Sequence, residues 1–548
     1  MSRSRSTRAL IAVAVSSALL LAGCSAGQTG GGGATEPQTG GTLNYLEHQP
    51  HTSLYPPSGG FYPNGGIVNN ITDRLVYQNP ETLEFEPWIA TDWESNDDAT
   101  EYTFNLRSDV TFSDGTPLDA DVVAKNFDLY GLGDPDRALP VSEAINNYER
   151  SEVVDADTVK FFFTAPAPGF LQATSTINSG LVSDATLDLS FEGFGPGNSQ
   201  NIIGSGPFTI SGEEIGTRVD LAAREDYAWA PPSWENQGRP YLDGITITVT
   251  PEDSVRVGAL VSGQADIVRN VEAQDEAQVE VPGYSILAAQ TKGVNNGLSL
   301  RIGNEKLSDI RVRQAITAGI DRQAVIDTIY SANYPLATSV LSSSAPGYVN
   351  TEEYFAYDQA KAKSLLDEAG WVPGADGIRA KDGQKLTLVV NEAAPQPRSF
   401  EALTLISQQL AEIGVDLQIL KADAGTYAEA ILDADQVQIY HSMVGRTDLD
   451  VIKSQFYSSN RNVLLNKNNK TGEIVDPKLE ELLLAVASTP APDARIAASQ
   501  AVQTYLAEQA YQIPLFEEPQ VYGQADYVHG FQTESIARPI FSQVWLDR

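Results

Sequence analysis

Cysteine occurs once in this sequence of 548 residues, at Cys24, and methionine only twice. A single thiol excludes an intramolecular disulfide and any Cys-x-x-Cys metal site. Histidine is nearly as scarce. His48, His51, His441 and His529 are the only four, which leaves little from which to build a metal centre or a Ser-His-Asp triad. Basic residues are outnumbered two to one, 36 Lys and Arg against 72 Asp and Glu, for a formal net charge of −36. Such a surface favours solubility and argues against nucleic acid as a partner. No Gly-x-Ser-x-Gly, His-Glu-x-x-His or Gly-Lys pair is present, so no motif supports a hydrolase, a zinc protease or a P-loop enzyme. The acidic doublets Asp97-Asp98 and Glu517-Glu518 read as solvated surface rather than acid–base pairs.

Long apolar runs are also lacking, with one short exception. Arg3, Arg5 and Arg8 precede the apolar stretch Ala9–Leu21, which falls short of the ~20 residues a membrane span needs. Residues 1–23 therefore read as a secretion signal. The stretch ends Leu21-Ala22-Gly23-Cys24, a lipobox, and lipid attachment is the natural role for the lone thiol. Residues 24–40 are rich in Gly, Thr and Gln, without apolar periodicity, and read as a flexible tether. The expected address is outside the cytoplasm, lipid-anchored to the outer face of the cytoplasmic membrane, or periplasmic where an outer membrane exists. The lipid is the only expected membrane contact.

The remaining chain is too long for one ordinary core, so two or three domains are expected. Strand and helix signals alternate along it, as in an α/β protein. Leu298 and Leu300 alternate with polar neighbours as a half-buried strand does, and Gly303-Asn304 marks a turn. Asp309 stands at an N-cap position before Val312, Ala315, Ile316 and Gly319, which share a helical face with Arg311 and Arg313 off it. Asp321 caps a second helix. Further on, Leu386–Val390, a helix over Ser399–Ile413 and Val415–Leu420 form a β-α-β unit, which implies a parallel pair. Tyr511–Tyr522 reads as one returning strand.

The wording of several of these blocks is less generic. LSDIRVRQAITAGIDRQAVI, starting at Leu307, and FEPWIATDWESNDDATEYTFNLRSDVTFSDGTPLDADVVAKNF, starting at Phe85, closely resemble two blocks of the extracellular solute-binding proteins of family 5. These are the dipeptide-, oligopeptide- and nickel-binding subunits of ABC importers. The Gly204-Ser-Gly-Pro-Phe208 element and the stretch Arg256–Asp266 resemble others in the same order.

The resemblance implies an α/β, two-lobed periplasmic-binding-protein fold of type II, in the peptide-binder subclass with an extra domain. Domain I is then built from residues 41–75, 204–293 and 517–548, domain II from 76–203 and domain III from 294–516. It further implies a monomer that catalyses no reaction and carries no cofactor. The ligand, a peptide or other small molecule, is held between lobes and passed to a permease driven by a cytoplasmic ATPase. A nickel or metal-chelate binder, an oligosaccharide binder, a secreted hydrolase and a lipoprotein sensor are the alternatives.

For the site, the resemblance points to the loop Val444-Gly-Arg-Thr-Asp-Leu-Asp450, where peptide binders carry an aspartate that holds the peptide ammonium. Asp448 is the expected anchor, and Asp448→Ala is then expected to weaken ligand binding without unfolding the protein. Two roles stay open for Arg446, binding a ligand carboxylate or pairing with Asp448. Tyr45, Glu47, His48, Asn295 and Asn296 stand at positions that line the cleft in such relatives, and His441 is counted with them. The i,i+3 pair His48 and His51 lacks the carboxylates or thiol needed for a metal site.

Overall fold

Strand Thr42–Glu47 lies at the centre of a seven-stranded sheet, parallel to both its neighbours, Gly244–Val249 and Ile267–Arg269. Arg218–Ala223 and Phe208–Glu214 extend one side, and Pro519–Ala525 and Tyr284–Gln290 the other, all antiparallel. A central strand with parallel neighbours is covered on both faces. Accordingly Leu43 and Tyr45 enter one apolar core and Leu46 a second. In the computed structural model, residues 36–548 are described except 394, 395, 423, 461, 462, 469 and the side chain of 424. Cys24, the signal and nearly all of the tether lie outside the described residues.

A five-stranded sheet runs in the order Asp416–Leu420, Thr387–Asn391, Ile439–Gly445, Gly293–Leu300 and Gln512–Phe516. The first two strands pair in parallel and are joined by helix Ser399–Ala411, as the β-α-β spacing requires. A third sheet is an antiparallel set of four, Ala90–Ser95, Glu101–Leu106, Thr158–Phe163 and Tyr148–Asp155. Its inner face is aromatic. Phe163 and Phe170 stand 4.7 Å apart and Phe127 and Phe161 4.9 Å, the tilted and edge geometries that ring quadrupoles favour.

Asp309 caps helix Ile310–Gly319 by accepting the Arg311 N–H at 2.9 Å, and Asp321 caps Arg322–Ile329 by accepting that of Ala324 at 3.0 Å. Val312, Ala315, Ile316 and Gly319 are buried as the helical face requires. Arg313 departs from expectation. It is buried too, because its guanidinium donates to the carbonyls of Leu307, Ser308 and Gln509 and lies over the Tyr511 ring.

The chain crosses between the seven- and five-stranded sheets twice. Thr291-Lys292 carries it from Tyr284–Gln290 to Gly293–Leu300, and Glu517-Glu518 carries it back from Gln512–Phe516 to Pro519–Ala525. The strand expected over Tyr511–Tyr522 is therefore two strands in two sheets. The Thr291 N–H donates to the Glu518 carbonyl at 3.1 Å, which bonds the crossings to each other. Among the described residues no helix is long and apolar enough to cross a membrane.

Candidate functional site

A cavity of about 430 Å³ opens where these crossings meet the C-terminal end of strand Ile439–Gly445. Glu518, Arg269, His48, Tyr62, Arg446 and Arg538 supply its charged and aromatic wall. Strand ends deliver most of them. His48 follows Thr42–Glu47, Arg269 ends Ile267–Arg269, Arg446 follows Ile439–Gly445 and Glu518 precedes Pro519–Ala525. Open α/β sheets present ligand-binding loops at such edges.

Arg269 grips Glu47 through two hydrogen bonds, 2.8 Å to Oε2 and 2.7 Å to Oε1, and donates a third to Gln520 Oε1 at 2.7 Å. Burial alone would raise the Glu47 carboxyl. The Arg269 charge and the donors around it outweigh that and hold it well below the usual carboxylate range. His48 Nδ1 lies 2.8 Å from Glu47 Oε1, and burial pushes this imidazole down towards its neutral form. Tyr62 is flanked by two guanidinium groups, Arg538 at 5.0 Å from the ring centroid and Arg269 at 5.6 Å.

Arg446 donates to Asp450 Oδ1 at 2.5 Å and to Ser454 Oγ at 2.7 Å. Asp448 instead takes both its oxygens to Arg495, one of them at 2.9 Å, and also accepts the Asp450 N–H at 2.8 Å. The proximity of Arg495 overcomes the burial penalty and keeps the Asp448 carboxyl well below its ordinary value. Asp450, buried beside that anion, is pushed the other way. The direct Arg446–Asp448 pair is thus absent, each having taken a different partner.

Of the eight expected ligand residues, His48 and Arg446 line the cavity. Asp448 does not; its carboxylate, already satisfied by Arg495, has no face left on the wall. Tyr45 is wholly buried in its strand and packs edge-on against Phe541 at 5.3 Å. Glu47 sits behind the wall as the partner of Arg269, while Asn295 is spent on the Ser339 carbonyl at 2.9 Å. Asn296 and His441 form a second layer. His441 Nε2 lies 2.7 Å from Asn296 Oδ1, and the Asn296 amide donates to Glu518 Oε2 at 3.0 Å. His51 turns away from His48, to Ser199 Oγ at 3.2 Å and Glu213 at 3.3 Å, so the two imidazoles do not converge.

Glu518, Arg269, Tyr62 and Arg538 are wall residues not foreseen from the sequence. Glu518 reverses the expectation for its doublet, since Glu517 and Glu518 are 5% and 4% exposed rather than solvated. Pro519 was the available signal, because a proline inside a strand pattern marks an edge or a break.

Two α/β sheet systems joined by paired crossings, with a charged cavity at the crossings, define a two-lobed binding protein of the periplasmic type. The chain belongs to the bacterial extracellular solute-binding proteins, family 5, whose model matches residues 84–462. It is 25% identical over 393 residues to the dipeptide-binding protein of Escherichia coli K12, covering 68% of this chain and 70% of that one. Over 345 residues it is 27% identical to the glutathione-binding protein GsiB of Salmonella paratyphi A, covering 63% of this chain and 62% of the relative. The solved structure of the oligopeptide-binding protein AppA from Bacillus subtilis in complex with a nonapeptide superimposes with a TM-score of 0.77 at 20% identity. It covers 94% of this chain and all of the other, a likeness of fold.

Proposed function

We propose that this solute-binding protein captures a peptide or peptide-like solute in the cavity at the sheet crossings and delivers it to an ABC permease powered by a cytoplasmic ATPase. It catalyses no reaction and works as a monomer. The cavity itself carries this reading, because a volume of about 430 Å³ lies in the ~300–1,000 Å³ range of small-molecule sites. Its wall offers both signs of charge, Glu518 against Arg446, which suits a solute bearing both. The peptide-binding relatives add weight to this choice of solute.

In this reading residues 41–75, 204–293 and 517–548 form one domain, 76–203 a second and 294–516 a third. The two crossings act as the hinge whose closure buries the solute. His48 and Arg446 touch ligand. Glu47, Asn296 and His441 brace the wall from behind, Tyr45, Asn295 and Asp448 hold its frame, and Cys24 carries the lipid.

Native mass spectrometry of the purified protein tests the proposal. A retained small molecule that fragments as a peptide, and that rebinds after unfolding and refolding, is the expected result. Release of no small molecule, together with no thermal shift from a tripeptide mixture, overturns it. Membrane release of a Cys24→Ser variant checks the anchor separately.

A further inference from the structure

We propose that Glu518 is the receptor for a cationic group on the ligand, an ammonium or guanidinium, and that a relay of hydrogen bonds behind it holds the carboxylate ready. The inference rests on the cavity being the ligand site. Glu518 stands on the cavity wall, 4% exposed, and forms no ion pair among the described residues. The other acid on that wall, Glu143, is exposed.

The donors reaching Glu518 are neutral. Asn296 Nδ2 donates to Oε2 at 3.0 Å. Gln396, with its amide nitrogen turned to the carboxylate, donates to Oε1 at 3.2 Å and also to Oε2, and the Gln520 side chain is a further neutral partner. Arg269 is the cation whose charge bears on it, but Glu47 occupies that guanidinium through two bonds and Gln520 through a third. Three buried carboxylates nearby are paired with arginine, Glu47 with Arg269, Asp448 with Arg495 and Asp450 with Arg446, while Glu517, which is off the cavity wall, is held by Ser343. An interior charge without a partner is costly unless something arrives to pair it. On a cavity wall, that something is the ligand.

The relay has one polarity. The Ala393 N–H donates to Ser399 Oγ at 2.9 Å, so the Ser399 hydroxyl is free to donate to His441 Nδ1 at 3.0 Å. His441 Nε2 faces the Asn296 carbonyl oxygen and must therefore carry the ring's proton. Asn296 is thereby oriented with its NH₂ towards Glu518. Burial lowers His441 to about 4, so the imidazole brings no charge of its own. Every link donates in the direction of Glu518, the arrangement that suits an anion awaiting a cation.

Burial raises Glu518 to about 7 against the pull of Asn296 and Arg269. The titratable groups around it are Arg269, with its partner Glu47, and Tyr62, Tyr330 and Tyr334. All three phenols are raised and stay neutral across pH 5–8. Glu518 is thus the cavity's switching group. A bound cation displaces its proton, so affinity falls about tenfold per pH unit below 7.

The test compares the full protein with Glu518→Gln. Its probes are a tripeptide mixture free of Lys and Arg, the same mixture N-acetylated, and the non-peptide cations agmatine and spermidine. Binding is read by native mass spectrometry and calorimetry from pH 5 to 8. The expected result is retention of free-amine tripeptides, at least tenfold weaker for the acetylated mixture and for Glu518→Gln, with the stated fall in acid. Glu518-dependent retention of agmatine or spermidine with no tripeptide bound supports the receptor and overturns the peptide reading. Equal retention of both mixtures, or unchanged affinity in Glu518→Gln, overturns the receptor and leaves the peptide reading standing. No retention of any probe overturns both. Glu518→Asp, which keeps the charge but withdraws it by one methylene, reads the same contact if the glutamine variant folds poorly. Its affinity is expected to fall severalfold, and an unchanged value counts against the receptor.

Discussion

Two segments bring buried carboxylates to the neighbourhood of the cavity, the loop Thr447–Asp450 and the crossing Glu517-Glu518. In the loop each acid has an arginine, Arg495 for Asp448 and Arg446 for Asp450, and Asn146 adds a bond to Asp450 at 2.7 Å. At the crossing Glu517 is satisfied by Ser343, through its N–H at 2.9 Å and its hydroxyl at 3.0 Å, and Glu518 by neutral amides. The first arrangement is complete and holds structure together. The second leaves a net charge on a cavity wall. Whether a buried acid is a strut or a receptor is thus decided by its partners, not by its residue type or by the motif around it.

The strongest way to break this comparison is to remove the strut. Asp448→Ala leaves Arg495 buried without its counter-ion and strips the Asp450 N–H of its acceptor, which should cost about 3–5 kcal/mol. Urea unfolding reads that loss. A variant that keeps full stability but loses ligand would return Asp448 to the role first expected of it. Acid should act in the same direction. Because the folded carboxyl sits below its unfolded value, the stabilisation is complete above pH ~4 and drains away as pH falls towards the folded value.

Removing the receptor should do the opposite. A carboxyl raised from 4.5 to about 7 opposes folding once the unfolded chain ionises. Its cost starts near pH 4.5, grows until about pH 7 and is constant above, reaching roughly 3 kcal/mol. Glu518→Gln should therefore stabilise the ligand-free protein by that order at pH 8 and leave it unchanged at pH 4. Equal effects at both pH values would mean that the carboxylate is not strained by burial. Ser399→Ala comes next. It removes the donor to His441 and leaves the Ala393 N–H unpaired, for an expected loss of about 2 kcal/mol. It should also move the acid fall in ligand affinity to higher pH, because the carboxylate loses part of the donor chain that favours its charged form, which a packing defect alone would not do.

Much of the fold was legible because its signals are local. The strand at Gly293–Leu300, the caps at Asp309 and Asp321 and the β-α-β spacing over Thr387–Leu420 each depend on neighbours a few residues apart, although that strand is buried along its whole length and not on alternate residues as expected. The family blocks added the arrangement that local signals lack. The site was legible only in outline. His48 and Arg446 reach the wall, but Asp448 lies off it, paired with Arg495, a partner 47 residues away that no local signal announces. Glu518 was misread because its environment comes from Asn296 and Gln396, 222 and 122 residues earlier, with no motif to announce them. Arg313 is a mixed case, since its Leu307 and Ser308 acceptors are local and only Gln509 is 196 residues off.

That relation between distance and consequence gives the smallest prediction. Asp309 is also a carboxylate bonded to an arginine, yet both partners are local. It accepts the Arg311 N–H at 2.9 Å and pairs with the Arg311 guanidinium at 2.6 Å, with the arginine side chain 43% exposed. Water can replace the ion pair, so only the cap should count. Asp309→Ala should cost about 1 kcal/mol, and Asp309→Asn, which keeps a capping oxygen but not the charge, only a few tenths. Neither should alter ligand affinity or its pH dependence. A loss of several kcal/mol in the asparagine variant would show that exposure does not separate this pair from Asp448–Arg495, and that the contrast between partner-bound struts and local caps is drawn in the wrong place.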